Sequence, residues 1–150
     1  MFKLSRKSLY ALEAVVDIAY NARSEPVQSK EITLRQGIPQ RYLEQVMQQL
    51  VHRGILKGVR GPRGGYVLAR ERRKITVGDV VRVVDQLDAE NESDPISKAE
   101  LGEQVIAPLW EETRTKVLKQ LDTITMDDLC AQARGLKIEH GAKDAPDFTI

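Results

Sequence analysis

Cysteine is almost absent from this chain. Cys130 stands alone among 150 residues, which excludes an intramolecular disulfide and any multi-cysteine metal site. No apolar run approaches the ~20 residues that a membrane-spanning helix needs, and no apolar N-terminal segment ends in small residues. A cytoplasmic protein without membrane attachment is expected. Paired catalytic carboxylates in a recognisable setting are missing, as is a nucleophile–base constellation, which argues against an enzyme. What is present is ordinary core material. A hydrophobic fraction of 41% with 30% charged residues suits one compact domain, or a small domain with a long appendage.

The net charge of +1 conceals a segregation. Met1 to Lys74 carries 15 Lys/Arg against 6 Asp/Glu, a net of +9, while Ile75 to Ile150 carries 8 against 16, a net of −8. A basic half of this size points to a polyanion. A solvated surface with chance segregation is the alternative until the motifs are weighed.

Ser5 to Ala22 carries a helical stripe of Leu9, Leu12, Val15, Val16, Ile18 and Ala19, with Ser5 or Ser8 as its cap. Arg6 and Lys7 lie beside its start, where positive charge opposes the helix dipole by roughly a few tenths of a kcal/mol. That cost makes sense if a phosphate sits there, so Lys3, Ser5, Arg6, Lys7 and Tyr42 are candidate phosphate contacts. Ser24-Glu25-Pro26 is a break. A second helix over Ser29 to Gln36 follows, with Ser29 as cap and Ile32 inward. Gly37 ends it, and Pro39 opens the next helix, where a missing N–H does no harm. Two helices joined by a short Gly-containing turn form a helix-turn-helix. In the later helix Tyr42, Leu43, Val46, Met47 and Leu50 share the core-facing side. Gln40, Arg41, Glu44, Gln45, Gln48 and Gln49 share the other. That polar side suits base edges: Arg reads guanine, Gln adenine, and a carboxylate the cytosine amine, each worth about 1–3 kcal/mol of discrimination. A merely solvated helix face has the same composition.

The next segment weighs against the solvated reading. Gly54 stops the helix, and Ile55 to Val59 can pair with Tyr66 to Leu68 as a hairpin. Between them lies R-G-P-R-G-G, too long for a minimal turn. Gly61, Gly64 and Gly65 permit close backbone approach, Pro62 stiffens the tip, and Arg60 and Arg63 project. A narrow arginine-bearing ribbon suits a minor groove. A phosphate-cradling P-loop is the rival reading, but no Lys-Ser/Thr or following helix completes one.

Ala69 to Lys74 is a basic connector. Thr76 and Asp79 form a capping box for a helix through Leu87 that closes the core. Asp85 to Glu103 is an acidic, polar loop with Pro95. Val105 to Ile124 then reads as a long helix with apolar Val105, Leu109, Trp110, Val117, Leu118, Leu121 and Ile124. Such a stripe needs cover, from a two-fold mate or from its own domain. Thr125, with Asp127 and Asp128, caps a last helix that Gly135 stops. The expected organisation is a mainly α fold with a small β-hairpin: a winged helix-turn-helix domain over 1–87, an acidic sensor-like loop over 88–104, a dimerisation helix and short C-terminal helix over 105–134, and a flexible tail over 135–150. Cys130 reads as a buried structural cysteine or a redox handle, with the neighbouring Asp127 and Asp128 raising its pKa. A Cys130–His140 metal pair is weaker, having only two ligands. His52 reads as a surface or phosphate-facing residue.

With these residues in view, the chain resembles the IscR/NsrR/CymR family of bacterial winged-helix transcription regulators. The resemblance spans Met1 to Ala133 and rests on Y-L-E-Q from Tyr42, V-R-G-P-R-G-G-Y-V-L from Val59 and I-T-V-G-D-V-V from Ile75. It extends through L-W at Leu109 and I-T-M-D-D-L at Ile124. It implies a homodimer on double-stranded, palindromic operator DNA, with the third helix in a major groove and the wing in the adjacent minor groove. Arg41, Glu44 and Gln45 match the base-reading positions, Arg60 the minor-groove residue, and Gly61, Pro62, Arg63 and Gly64 complete the wing. Leu109, Trp110, Val117 and Leu121 match the dimerisation region. Arg41 departs from the small polar residue of the IscR branch, which implies a different operator, one that offers Arg41 a guanine. Cluster-binding members carry three cysteines before the long helix. Here Asp85 to Pro108 has neither cysteine nor histidine, with Gln104 and Ala107 at ligand positions. Carboxylates such as Glu90, Glu92, Asp94 and Glu100 are hard ligands poorly suited to hold an iron–sulfur cluster alone. No cluster or other cofactor is therefore expected. A protein-interaction module, its DNA binding controlled by an enzyme partner or small ligand, is the alternative function.

Overall fold

Among the described residues, six α-helices and one hairpin are built largely from these local signals. A computed structural model of the chain describes residues 5–22, 25–91 and 99–139. In α1 (Arg6–Tyr20) the buried face is Ala11, Ala14, Val15, Ile18 and Ala19. Ser5 is the cap: its Oγ accepts the Ser8 N–H at 3.1 Å, and Ser8 is buried within the first turn. The helix ends before the expected Ala22, because the Asn21 backbone and side-chain N–H groups both donate to the Asp17 carbonyl at 2.9 Å.

α2 (Ser29–Gln36) begins one residue earlier than a Ser29 cap requires. Gln28 holds the cap position, and the Glu31 carboxylate accepts the Gln28 N–H at 2.8 Å. A charged acceptor at the third helical position is favoured by the dipole, which displaces the expected serine cap. Gly37, at φ 67°, turns the chain as only glycine does freely. Pro39 sits at the cap of α3 (Gln40–His52) rather than inside its first turn. On α3, Leu43, Val46, Met47 and Leu50 are buried, each burial worth about 1.5–3 kcal/mol.

β1 (Leu56–Val59) and β2 (Gly65–Leu68) pair antiparallel, from Leu56 opposite Leu68 to Val59 opposite Gly65. A bridge with no local sequence signal attaches this hairpin to the chain before α2. Val27 N–H donates to the Tyr66 carbonyl at 3.0 Å and Tyr66 N–H returns to Val27 at 2.8 Å. The close approach depends on Gly65, where a Cβ would meet the Val27 carbonyl oxygen, with its carbonyl carbon at 2.7 Å. Gly65→Ala is expected to cost about 1–3 kcal/mol through overpacking. Urea unfolding measures the loss, and faster amide exchange at Val27 and Tyr66 locates it.

α4 (Val77–Asn91) starts with the expected box. Thr76 and Asp79 exchange backbone-to-side-chain hydrogen bonds of 3.0 Å. It runs four residues beyond Leu87, since nothing there breaks a helix and Asp88 is held by Lys7 at 3.4 Å. Helical turns resume at Glu100 and continue through a π-helical segment, Gly102–Ile106, into α5 (Ala107–Leu121). The expected acidic loop is thus helical at both ends, and its middle, 92–98, lies outside the described residues. Pro108 explains the π register. Its ring crowds the carbonyl four residues back, and a five-residue hydrogen bond, Ala107 N–H to Gly102 O, relieves it.

α6 (Met126–Gly135) begins at Thr125, which exchanges bonds of 2.9 and 3.0 Å with Asp128. Its start is laced to that of α4: Val77 N–H reaches Ile124 O and Met126 N–H reaches Ile75 O, both at 2.8 Å. Met126 and Cys130 are consequently buried in the same core as α1, α3 and α4. α6, expected to group with the long helix, thus also packs on α1. The long helix's stripe is divided as well. Leu118 is buried, and Leu121 and Ile124 pack on the core, whereas Val105, Ile106, Leu109 and Trp110 are exposed.

Candidate nucleic-acid interface

The helix-turn-helix presents its polar side outward because the opposite side of α3 is sealed in the core. Arg41, Glu44, Gln45 and Gln48 are exposed. Gln40 Nε2 approaches Glu44 at 3.5 Å, the limit of a hydrogen bond. Arg41 has no ion-pair partner among the described residues. Its guanidinium is therefore available to a base or a phosphate.

At the wing, Gly61 adopts φ 115°, and Gly64 N–H closes the loop onto the Gly61 carbonyl at 2.9 Å. A Cβ at Gly64 would meet the Val59 and Gly61 carbonyl oxygens, so a side chain there would open the tip. Pro62 and Arg60 are exposed at the tip. Arg63, expected to project freely, meets Glu25 at 3.3 Å. Both groups are well exposed, so the pair contributes little and yields readily to a phosphate.

The expected phosphate contacts divide. Ser5 and Arg6 lie at the exposed start of α1. Lys7 pairs with Asp88 and lies 6.0 Å from the centre of the Tyr42 ring. Tyr42, expected to face the core, is half-buried, tilted against Tyr10 with ring centroids 5.6 Å apart. Burial, then the charge of Asp88, pushes its phenol pKa well above the ordinary value, so its hydroxyl is held neutral and able to donate. Lys3 lies outside the described residues.

Two features of the site had no signal in the spacing of its polar residues. The Asp17 carboxylate, buried in α1, receives Arg35 Nε at 2.9 Å, an Arg35 terminal nitrogen at 2.7 Å and Gln36 Nε2 at 2.8 Å. This fixes the end of α2, immediately before the turn into α3. A carboxylate within the apolar stripe Val15–Ala19 was the available clue. Asp88, placed on Lys7 by the longer α4, is the second.

The chemistry of the donor set bears on an iron–sulfur cluster. Gln104 and Ala107 stand where the resemblance would place cluster ligands, and among the described residues no three His, Cys, Asp or Glu side chains gather as a metal site. Cys130 is fully buried. Burial pushes its thiol pKa up, against the opposing pull of Arg72 and Arg134. These donors do not fit a thiolate-held cluster. The suggested pair with His140 falls outside the described residues.

The Rrf2 family, described as iron-dependent transcriptional regulators, matches residues 4–132. The chain belongs to this family. It is 34% identical to the HTH-type transcriptional regulator IscR of Cronobacter sakazakii over 128 residues, 85% of this chain and 79% of that protein. IscR of Pectobacterium atrosepticum is 33% identical over the same share of this chain and 78% of its own. Among solved structures, T. potens IscR superposes with a TM-score of 0.71 at 35% identity, covering 93% of this chain and 94% of that one. CymR, the global cysteine regulator of B. subtilis, gives 0.67 at 33% identity, covering 88% and 98%. This Rrf2 protein is a DNA-binding transcription regulator of winged-helix type, and the relatives it matches are named as regulators, not as enzymes. No helix among its described residues is long and apolar enough to cross a membrane.

Proposed function

We propose that this Rrf2 protein acts in the cytoplasm as a homodimer on a palindromic operator, and that it does so without a thiolate-held iron–sulfur cluster. One observation carries the reading: α3 exposes Arg41, Glu44 and Gln45 while its opposite face is sealed, beside a wing whose Arg60 is exposed. The α3 residues would read base edges in a major groove. Arg60, supported by Gly61, Pro62, Arg63 and Gly64, would enter the adjacent minor groove, where narrow A·T sequence concentrates negative potential. Ser5, Arg6 and Lys7 would clamp phosphate, with Lys7 exchanging Asp88 for DNA. The exposed Leu109 and Trp110 would meet their counterparts in the second copy, fixing the spacing of the half-sites.

Arg60→Ala is expected to weaken operator binding roughly tenfold, and Glu44→Ala to relax base preference more than it lowers affinity. Selection of bound DNA from a random library, followed by anisotropy titrations at several salt concentrations, checks both. Wild-type behaviour of Arg60→Ala, or binding insensitive to salt, contradicts the reading. The donor set favours a second element, control by a protein partner or small molecule in place of a cluster. Anaerobically purified protein is then expected to lack iron–sulfur absorbance in the visible range, and a clear cluster spectrum would overturn that part.

A further inference from the structure

Away from the DNA-facing surface, α1, the last turn of α2 and α6 enclose a cleft of about 360 Å³. Its apolar wall is Leu12, Val16, Leu129, Ala133, Leu136 and Ile138. The wall is built, not incidental. Past α6 the chain turns through Lys137 in the left-handed region, at φ 59°, Ile138 N–H returns to the Ala133 carbonyl at 3.1 Å, and the Tyr20 hydroxyl donates to the Ile138 carbonyl. These contacts hold the segment after α6 against α1.

The cleft is one-signed. Among the described residues, Glu13, Asp17 and Glu139 line it, against Arg35 as the lone Lys or Arg. Arg35 is already committed to Asp17 in a two-pronged pair. Glu13 and Glu139 remain, both exposed. No ion pair among the described residues engages these two carboxylates, so an anion would be repelled there and a cation would neutralise them. The volume lies near the low end of small-molecule sites, which run about 300–1,000 Å³, so a one- or two-ring body fills it.

We propose that this cleft is a binding site for a compact amphiphilic cation, its apolar body against the α1–α6 wall and its positive group at the Glu13–Glu139 rim. One wall ends at Arg35 and Gln36, directly before the turn into α3, so an occupant bears on the helix-turn-helix. That consequence rests on the DNA-binding reading, while occupancy of the cleft does not.

Calorimetric titration of the full chain with 2-(1-naphthyl)ethylammonium, beside 1-naphthylacetate as its anionic counterpart, tests it. Saturable binding of one ammonium per protomer is expected, with the acetate weaker by about tenfold or more. Glu13→Gln is expected to weaken the ammonium about two- to fivefold, as for a screened ion pair. Ala133→Trp, which fills the cleft, is expected to abolish binding. Should that variant fail to fold, the exposed Glu13→Gln and the two probes decide alone. No saturable heat, equal binding of the two probes, or unaltered binding by folded Ala133→Trp overturns the proposal. An intact dimer that gives no heat shows the cleft closed by the second copy and overturns it equally. Operator affinity with the cleft saturated is read separately. A shift supports a regulatory role, and ammonium binding with unchanged operator affinity overturns that role alone.

Discussion

Replacing Arg35 by alanine is expected to remove about 3–5 kcal/mol of folding stability, the loss typical of breaking a buried ion pair. The substitution strands the Asp17 carboxylate, which is 2% exposed, with Gln36 as its remaining side-chain donor. A domain of this size has about 5–15 kcal/mol in total, so the variant would keep only part of it. Thermal unfolding is expected roughly 10–20 °C below wild type. The cost is in the orphaned charge more than in the lost attraction. The double variant Asp17→Leu with Arg35→Met should therefore recover most of the loss, because apolar replacement of a buried pair is often near neutral. A single variant that melts like wild type would show that water reaches Asp17 freely. Operator binding should fall below the melting transition too, since Arg35 and Gln36 hold the end of α2 from which α3 is hung.

Trp110→Glu is expected to act on assembly and spare the fold. Trp110 is 51% exposed and Leu109 57% exposed on the single chain, so a carboxylate there meets water, not core. In the proposed dimer the same carboxylate would lie in an apolar contact, buried without a partner. Sedimentation velocity should show a monomer with an unchanged circular dichroism spectrum. Operator affinity should drop by roughly 100-fold or more, because the second half-site is no longer tethered to the first. A persistent dimer would place the interface elsewhere, and a monomer binding at full strength would remove the dimer from the mechanism. Leu118→Glu provides the contrast. Leu118 is buried within its own chain, so that variant should unfold.

Much of the fold was legible because its signals are local. Helical spacing marked α1 and α3. Thr76–Asp79 and Thr125–Asp128 marked the starts of α4 and α6, and Gly37 marked the turn between the two HTH helices. Each depends on residues within one turn of each other, so the chain carries the information wherever it is read. The composition of the wing, and the polar face of α3 beside it, likewise pointed to nucleic acid without any contact in hand.

Other features depend on segments far apart in sequence meeting in space. Val27 bridging Tyr66, Arg35 reaching Asp17, and Lys7 reaching Asp88 each join segments with no pattern in common. The stripe on the long helix was continuous by periodicity, yet the packing of α5 on α4 covers Leu118 and leaves Leu109 and Trp110 exposed. By itself the sequence determined which helices form, the capping boxes that start α4 and α6, and the segregation of basic residues into one half of the chain. Tertiary packing alone decided which apolar residues of the long helix stay exposed, and that one carboxylate, Asp17, ties down the end of α2. The physical reason is that periodicity reports a residue's side of its own helix, while burial depends on what another part of the chain brings against that side.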